Sequence, residues 1–208
     1  MKIDYLAFPA AILTMALVSC ENPADKTSTA DVKEAVAKKE ESASGTKYVF
    51  TPESKIEFTG SKVTGKHDGG FKTFTGHFTV KDGAPVGNDH KVVIDMSSTF
   101  SDADKLTEHL KSPDFFNVTE FPQTTFDVTE LKKNSDTEYT VSGNFKLHGV
   151  EKNISFPATI TKNGDAVGIK AEFDINRKDF GIVYAGKADD LIRDEVVIRL
   201  DLTAKPGA

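Results

Sequence analysis

Tyr139-Thr140-Val141-Ser142-Gly143-Asn144-Phe145-Lys146-Leu147 decides the fold class. Its odd positions hold Tyr, Val, Gly, Phe and Leu, and its even positions hold Thr, Ser, Asn and Lys. Successive side chains of a strand point to opposite faces, so a period of two predicts a β-strand with one apolar and one wetted face. The pattern recurs downstream in Ile154, Phe156, Ala158 and Ile160, in Val167, Ile169, Ala171 and Phe173, and in Val196, Ile198, Leu200 and Leu202. Upstream, Phe74, Gly76, Phe78 and Val80 alternate with Thr73, Thr75, His77 and Thr79, and Ile56 and Phe58 with Lys55, Glu57 and Thr59. Turn signals separate these runs: Asp82-Gly83, Gly149, and Asn163-Gly164-Asp165 at hairpin distance. About eight or nine strands follow, which fits an all-β domain, either a closed up-and-down barrel or a sandwich. A closed barrel of roughly eight strands can enclose one small or elongated ligand.

One stretch breaks the alternation. Ser101-Asp102-Ala103-Asp104 has the form of a helix cap with an acid three residues on, Leu106 and Leu110 share a face, and Pro113 follows. The spacing predicts a short helix over Asp102–Lys111. The next segment, Ser112 to Phe121, holds Phe115, Phe116 and Phe121 without periodicity, as a lid or barrel mouth would.

Upstream of Thr46 the composition changes. Between Glu21 and Gly45 only Val32 and Val36 are large and apolar, so residues 20–45 are expected to be a mobile tether. Asp31 to Glu41 contains good helix formers but no apolar face to hold a helix down. The apolar run Tyr5 to Val18 is too short to cross a bilayer comfortably and suits a signal-peptide core, giving a leader over residues 1–19. It ends in Leu17-Val18-Ser19-Cys20, which resembles the lipobox of bacterial lipoprotein signal peptides. That resemblance implies lipid attachment at Cys20 and a periplasm-facing position in a bacterial cell envelope, anchored to a membrane. The competing reading is a plain secretory leader with an incidental cysteine, and the acidic Asp4 is the feature that fits the lipoprotein reading least.

Composition narrows the partners. The chain of 208 residues has a net charge of -6 and no dense basic patch, which excludes nucleic acid as a partner. One cysteine allows no internal disulfide. Fifteen Phe against no Trp supply large apolar area without polar atoms, suited to a thick core or to a lined cavity.

Several blocks of the domain 46–208 occur in a recognisable order. They are Leu110-Lys111-Ser112-Pro113-Asp114-Phe115-Phe116-Asn117-Val118 with Phe121-Pro122 and Thr125-Phe126, then Gly143-Asn144-Phe145-Lys146-Leu147-His148-Gly149-Val150, then Ile154-Ser155-Phe156-Pro157-Ala158, and finally Asn176-Arg177-Lys178-Asp179-Phe180-Gly181-Ile182 with Asp194-Glu195-Val196. In this order, from Tyr48 to about Ala204, the chain resembles the YceI-like family of lipid- and polyisoprenoid-binding periplasmic proteins. The resemblance implies a lipocalin-like antiparallel up-and-down barrel whose interior takes a long isoprenoid or fatty chain. One departure is Phe58, which stands where many relatives carry Trp, so Phe58-Thr59-Gly60 keeps only part of that motif.

The candidate ligand contacts are Phe74, Phe78, Phe126, Phe145, Phe156 and Phe173 on the strands, and Phe116 in the irregular segment. Gly76, Gly143, Ala158 and Ala171 on the same faces either leave room or mark bends. His67, His77, His90, His109 and His148 are scattered, with no spacing that makes a metal site. His67, in the Gly-rich stretch Lys66–Gly70, is read as turn chemistry or as a head-group contact. Arg177, in a charged cluster with Asp179, Asp189, Asp190, Arg193, Asp194 and Glu195, is read as a salt-bridged rim or a second head-group contact. No nucleophile elbow, phosphate loop or metal signature appears, so the expected function is non-enzymatic. The chain is expected to carry or sequester an apolar molecule such as an isoprenoid quinone or a fatty amide, with no other cofactor. The alternatives are a fully packed barrel acting as an adaptor for a membrane or envelope protein, and an accessory enzyme acting on a bound quinone.

Overall fold

A computed structural model describes residues 22–39, 41 and 43–207. The leader and Cys20 lie outside the described residues. Eleven strand segments and one helix make the domain: β1 Thr46–Phe50, β2 Lys55–Lys62, β3 Gly65–Phe71, β4 Phe74–Lys81, β5 Lys91–Asp95, β6 Thr99–Ser101, α1 Asp104–Lys111, β7 Gln123–Lys133, β8 Glu138–Leu147, β9 Val150–Asn163, β10 Ala166–Asn176 and β11 Asp190–Pro206. The pairs β1 and β2, β3 and β4, and β5 and β6 are each one bent path, so the sheet has eight staves. Each stave lies antiparallel to its sequence neighbour, and the last closes on the first: β11 pairs with β10 on one edge and with β2 and β1 on the other. The result is a closed up-and-down barrel, not a sandwich.

The bends have local causes. Between β1 and β2, Pro52 has no N–H to give a ladder, and Ser54 substitutes its side chain. Ser54 Oγ donates to the Thr203 carbonyl at 3.0 Å and accepts the Thr203 N–H at 3.0 Å. Between β3 and β4, the Lys72 N–H reaches the Ser98 carbonyl and the Thr73 N–H reaches Ser98 Oγ. Asp82-Gly83 and His148-Gly149 take positive φ at both positions, as a two-residue hairpin turn of matching twist requires.

The helix begins two residues later than its sequence signature predicts. Ala103 is the N-cap and gives no side-chain hydrogen bond. Ser101 donates its backbone N–H to Thr107 Oγ1 at 2.8 Å, while Asp102 turns away to His67 and Asp68. The Gly-rich stretch at His67 is likewise strand β3 and not a turn. A Cβ on Gly69 would sit 2.5 Å from the Phe58 ring, and one on Gly70 would sit 2.7 Å from the Ile56 carbonyl.

The largest departure concerns the tether. Residues 22–39 do not hang free, and Asp31–Glu34 is a strand and not a helix. Strands β9 and β10 pair only from Thr159·Lys170 to Asn163·Ala166, then diverge. Into the gap goes the N-terminal segment. Ser28–Thr29 pairs in parallel with Phe173 and Asp174, and Asp31–Glu34 pairs antiparallel with Lys152 to Ser155. Buried Asp174 accepts from the Thr27 hydroxyl at 2.7 Å and the Thr29 hydroxyl at 3.3 Å. Buried Asn144 accepts the Val36 N–H at 3.1 Å and donates to the Val36 carbonyl at 2.7 Å. Asn88 accepts the Glu41 N–H at 2.9 Å and donates to the Lys39 carbonyl at 2.6 Å. The polar composition misleads because this strap is held by backbone ladders and buried side-chain amides, which need no apolar face.

The amides of Ala30 and Val36 should therefore be protected from hydrogen exchange. Asn144→Ala, which removes both Val36 bonds and one of the two acceptors of Asn153 Nδ2, should expose Val36 and lower stability by about 1–3 kcal/mol. Fast exchange at both amides in the unaltered protein would show the strap to be free.

Candidate functional site

Inside the barrel lies a cavity of ≈ 170 Å³ that presents no polar surface. Its wall takes Phe58 and Gly60 from β2, Phe71 from β3, Ile94 from β5, Phe126 from β7, Phe145 and Leu147 from β8, Phe156 from β9, Phe173 from β10 and Ile198 from β11. Leu110 of α1 and Phe115 and Phe116 of the segment behind it close one end. A second chamber of ≈ 80 Å³ lies beyond, among Phe50, Phe78, His90, Val128, Val141 and Ile160. The two share Val92, Phe126, Phe156, Leu200 and Leu202 as a common waist. Phe156 is fixed there by stacking on Phe173, with centroids 4.0 Å apart and planes 8° apart. At the other end a vestibule of ≈ 300 Å³ shares Phe58, Gly60, Leu110, Phe115 and Ile192 with the main cavity. Polar surface is exposed at this end, where His67, His109, Lys62, Lys187 and Asp190 are among the lining residues.

Of the seven Phe residues expected to line a ligand site, Phe116, Phe126, Phe145, Phe156 and Phe173 surround the main cavity. Phe78 lines the inner chamber, and Phe74 lines neither, its ring packing against Phe50 at 6.4 Å. Sequence reasoning passed over Phe58, Phe71 and Phe115. Phe58 had the signal of inward parity on β2; Phe71 and Phe115 fall at a strand end and in an irregular segment, where parity gives no guide.

The glycines expected to leave room do something else. A Cβ on Gly76 would lie 2.1 Å from the Phe50 ring, and one on Gly143 would lie 2.5 Å from the Phe126 ring. Both are seats for aromatic rings from neighbouring strands, and the rings occupy the space. The glycine with open space is Gly60, where a Cβ would meet nothing within 4 Å and the residue faces both cavity and vestibule.

The polar candidates separate clearly. His67 is on the vestibule wall, its Nδ1 2.9 Å from Asp102 Oδ1. Arg177 is buried, and its guanidinium is engaged from within. Nη1 donates to the Ile182 carbonyl at 2.7 Å, Nε to the Arg193 carbonyl at 3.1 Å, and Nη2 to Asp194 Oδ1 at 3.1 Å. It staples the 177–182 turn to β11 and forms part of the lining of the main cavity, with its polar atoms turned to these partners. His109 packs edge-on against Phe115 and Tyr184, 5.0 Å from each, over the vestibule. Among the described residues no group of three or more His, Cys, Asp or Glu is placed to hold a metal, and no helix is long and apolar enough to cross a membrane.

His90 sits at the inner chamber, where Nδ1 accepts the Thr79 N–H at 3.3 Å and Nε2 has no partner. Burial pushes its imidazole down from 6.5 to about 4, against the opposing pull of Asp89. The folded protein therefore holds His90 neutral while the unfolded chain takes up a proton below its ordinary value. Stability on this account is complete above pH 6.5 and falls as pH drops towards 4. The loss reaches at most about 3 kcal/mol and then levels off. Urea midpoints across this range should show the fall in the unaltered protein and a flatter profile in His90→Leu; identical profiles would contradict it.

Residues 48–204 match the model of the YceI-like domain. Among curated relatives, a UPF0312 protein of Yersinia pestis (strain Pestoides F) is 38% identical over 120 residues, 55% of this chain and 62% of the relative. A UPF0312 protein of Yersinia enterocolitica matches equally, at 38% over 120 residues. The chain thus spans about three fifths of the length of these relatives. Among solved structures, BcnA of Burkholderia cenocepacia aligns with TM-score 0.66 and 22% identity over 74% of this chain and 97% of that one. A polyisoprenoid binding domain from Saccharophagus degradans aligns with TM-score 0.65 and 17% identity over 77% of this chain and 98% of that one. At these identities the structural likenesses establish the fold.

Proposed function

The chain belongs to the YceI-like family, and from that premise we propose that it is a non-enzymatic, membrane-anchored binding protein that carries or sequesters a long apolar ligand in its barrel. The carrying observation is an apolar-walled cavity inside the barrel that opens to a vestibule with polar lining. The description of the Saccharophagus degradans domain as polyisoprenoid binding supports the same ligand class. Transfer of each methylene from water into such a wall contributes about 0.8 kcal/mol. With no polar surface to read, selection rests on shape and length, so an isoprenoid quinone and a fatty amide both fit the class. His67, on the vestibule wall, would meet a polar head at the mouth.

Volume constrains how the ligand lies. An apolar cavity of about 150 Å³ holds a benzene-sized group, so the ≈ 170 Å³ chamber alone takes only a short piece of chain. A long ligand has to run from the vestibule through the main chamber and past the Phe126·Phe156 waist into the ≈ 80 Å³ chamber. The packed-barrel adaptor calls for a filled interior, which these chambers do not favour. Anchoring through an acylated Cys20 in a bacterial envelope, facing the periplasm, completes the proposal.

Gly60→Phe tests it. The new ring enters open space where cavity and vestibule meet, so the fold should persist while the ligand is shut out. Native mass spectrometry and organic extraction of protein made in a heterologous host should give a co-purifying apolar molecule in the unaltered chain and several-fold less in Gly60→Phe. Two empty proteins that stay empty when offered isoprenoid quinone or fatty amide would overturn the proposal.

A further inference from the structure

Five large hydrophobic side chains are exposed among the described residues: Val36, Val49, Val63, Val183 and Leu191. Three of them gather at the vestibule. Val63 caps the β2–β3 hairpin and donates its N–H to the Leu191 carbonyl at 3.1 Å. Leu191 pairs with Gly186 in the short hairpin whose Gly186, Lys187 and Asp190 line the vestibule. Val183 immediately precedes Tyr184, another vestibule residue. Val49, by contrast, is in β1, paired with His77 and Lys205 at the inner-chamber end.

The strap brings the start of the chain to the same mouth. Its 3-10 turn Pro23–Lys26 packs on β11, and Asn22 Oδ1 accepts from Ser61 Oγ at 3.4 Å. Ser61 is itself a vestibule residue. Only Glu21 separates Asn22 from Cys20, and two residue steps span at most about 7 Å. An anchor proposed at Cys20 is thus two residues along the chain from a residue at the cavity mouth.

We propose that this mouth is a docking face for a lipid bilayer, with Val63, Val183 and Leu191 seated in the interface, so that an apolar chain passes between membrane and barrel without crossing water. The orientation rests on the acylated-Cys20 reading, whereas the exposed rim stands without it. At the vestibule Lys62 pairs with Asp190, His67 contacts Asp102 and His109 contacts Asp114, and Lys187 adds one exposed cation. Docking should therefore come from apolar burial on a zwitterionic surface and be insensitive to salt.

The chain has no Trp, so single reporters are clean. Val63→Trp, Val183→Trp, Leu191→Trp and Val49→Trp are prepared in the full chain, the acyl group is checked by intact mass, and each is reconstituted into phosphatidylcholine vesicles containing brominated lipid. The three mouth reporters should be blue-shifted and quenched several-fold more than Val49→Trp, at low and high salt alike. Equal quenching at all four positions, or none, overturns the docking face. So does a blue shift of the mouth reporters that grows with protein concentration in the absence of vesicles, which assigns the face to a second copy. If the intact mass shows no acyl group, the anchor reading fails separately, and added vesicles then decide the rim. A shift confined to the mouth reporters upholds the face, and no shift overturns it.

Discussion

Everything in this molecule depends on strand β11 finding partners along both edges. It pairs with β10 from Glu195 to Ala204 on one side, and on the other with β2 and then β1 as that stave bends around Pro52 and Ser54. Those ladders turn a curled sheet into a closed wall, and closure removes the free edge that an open sheet would present. It also creates the constraint on which the proposed function rests: every second side chain is committed to an interior that must be filled by the chain or by something else. Rings seated on glycines fill part of it, as Phe50 does on Gly76 and Phe126 on Gly143. What remains is the pair of apolar chambers.

The wall is nonetheless incomplete where β9 and β10 part, and the strap is the piece that mends it. By taking ladder partners on both strands, the segment from Ser28 to Glu34 acts as a partial ninth stave. A segment that looked like a spacer thus fixes how the barrel is held. In place of some twenty-five free residues, the chain meets the barrel surface at Asn22, beside the vestibule. The described N-terminal segment lies along the barrel and is not a free spacer.

Much of the fold was legible in the sequence because inward and outward positions differ so sharply in polarity. Tyr139 to Leu147 and Val167 to Phe173 report their own parity, and the hairpin turns announce themselves. Barrel versus sandwich was not legible from periodicity, since both use the same alternation and only the pairing of β11 with β1 and β2 distinguishes them. The strap was missed because Asn88, Asn144 and Asp174 lie far from it in sequence, and nothing in residues 22–39 advertises bonds to distant side chains. Within the site, parity found Phe126, Phe145, Phe156 and Phe173, whereas Phe115 depends on how an irregular segment folds over the barrel end. Glycine was the least informative signal: Gly76, Gly143 and Gly60 look alike in sequence, and only the neighbouring rings tell a filled seat from an open one.

The central claim is that the barrel's interior is occupied by an elongated apolar molecule in its working state. A crystal structure of the protein purified without delipidation tests this most directly. The account predicts continuous, unbranched or regularly methyl-branched density running from the vestibule beside His67, past Phe58 and Phe116, and through the Phe126·Phe156 waist. Both chambers empty, or filled by ordered water, in protein that retains its native fold would contradict it.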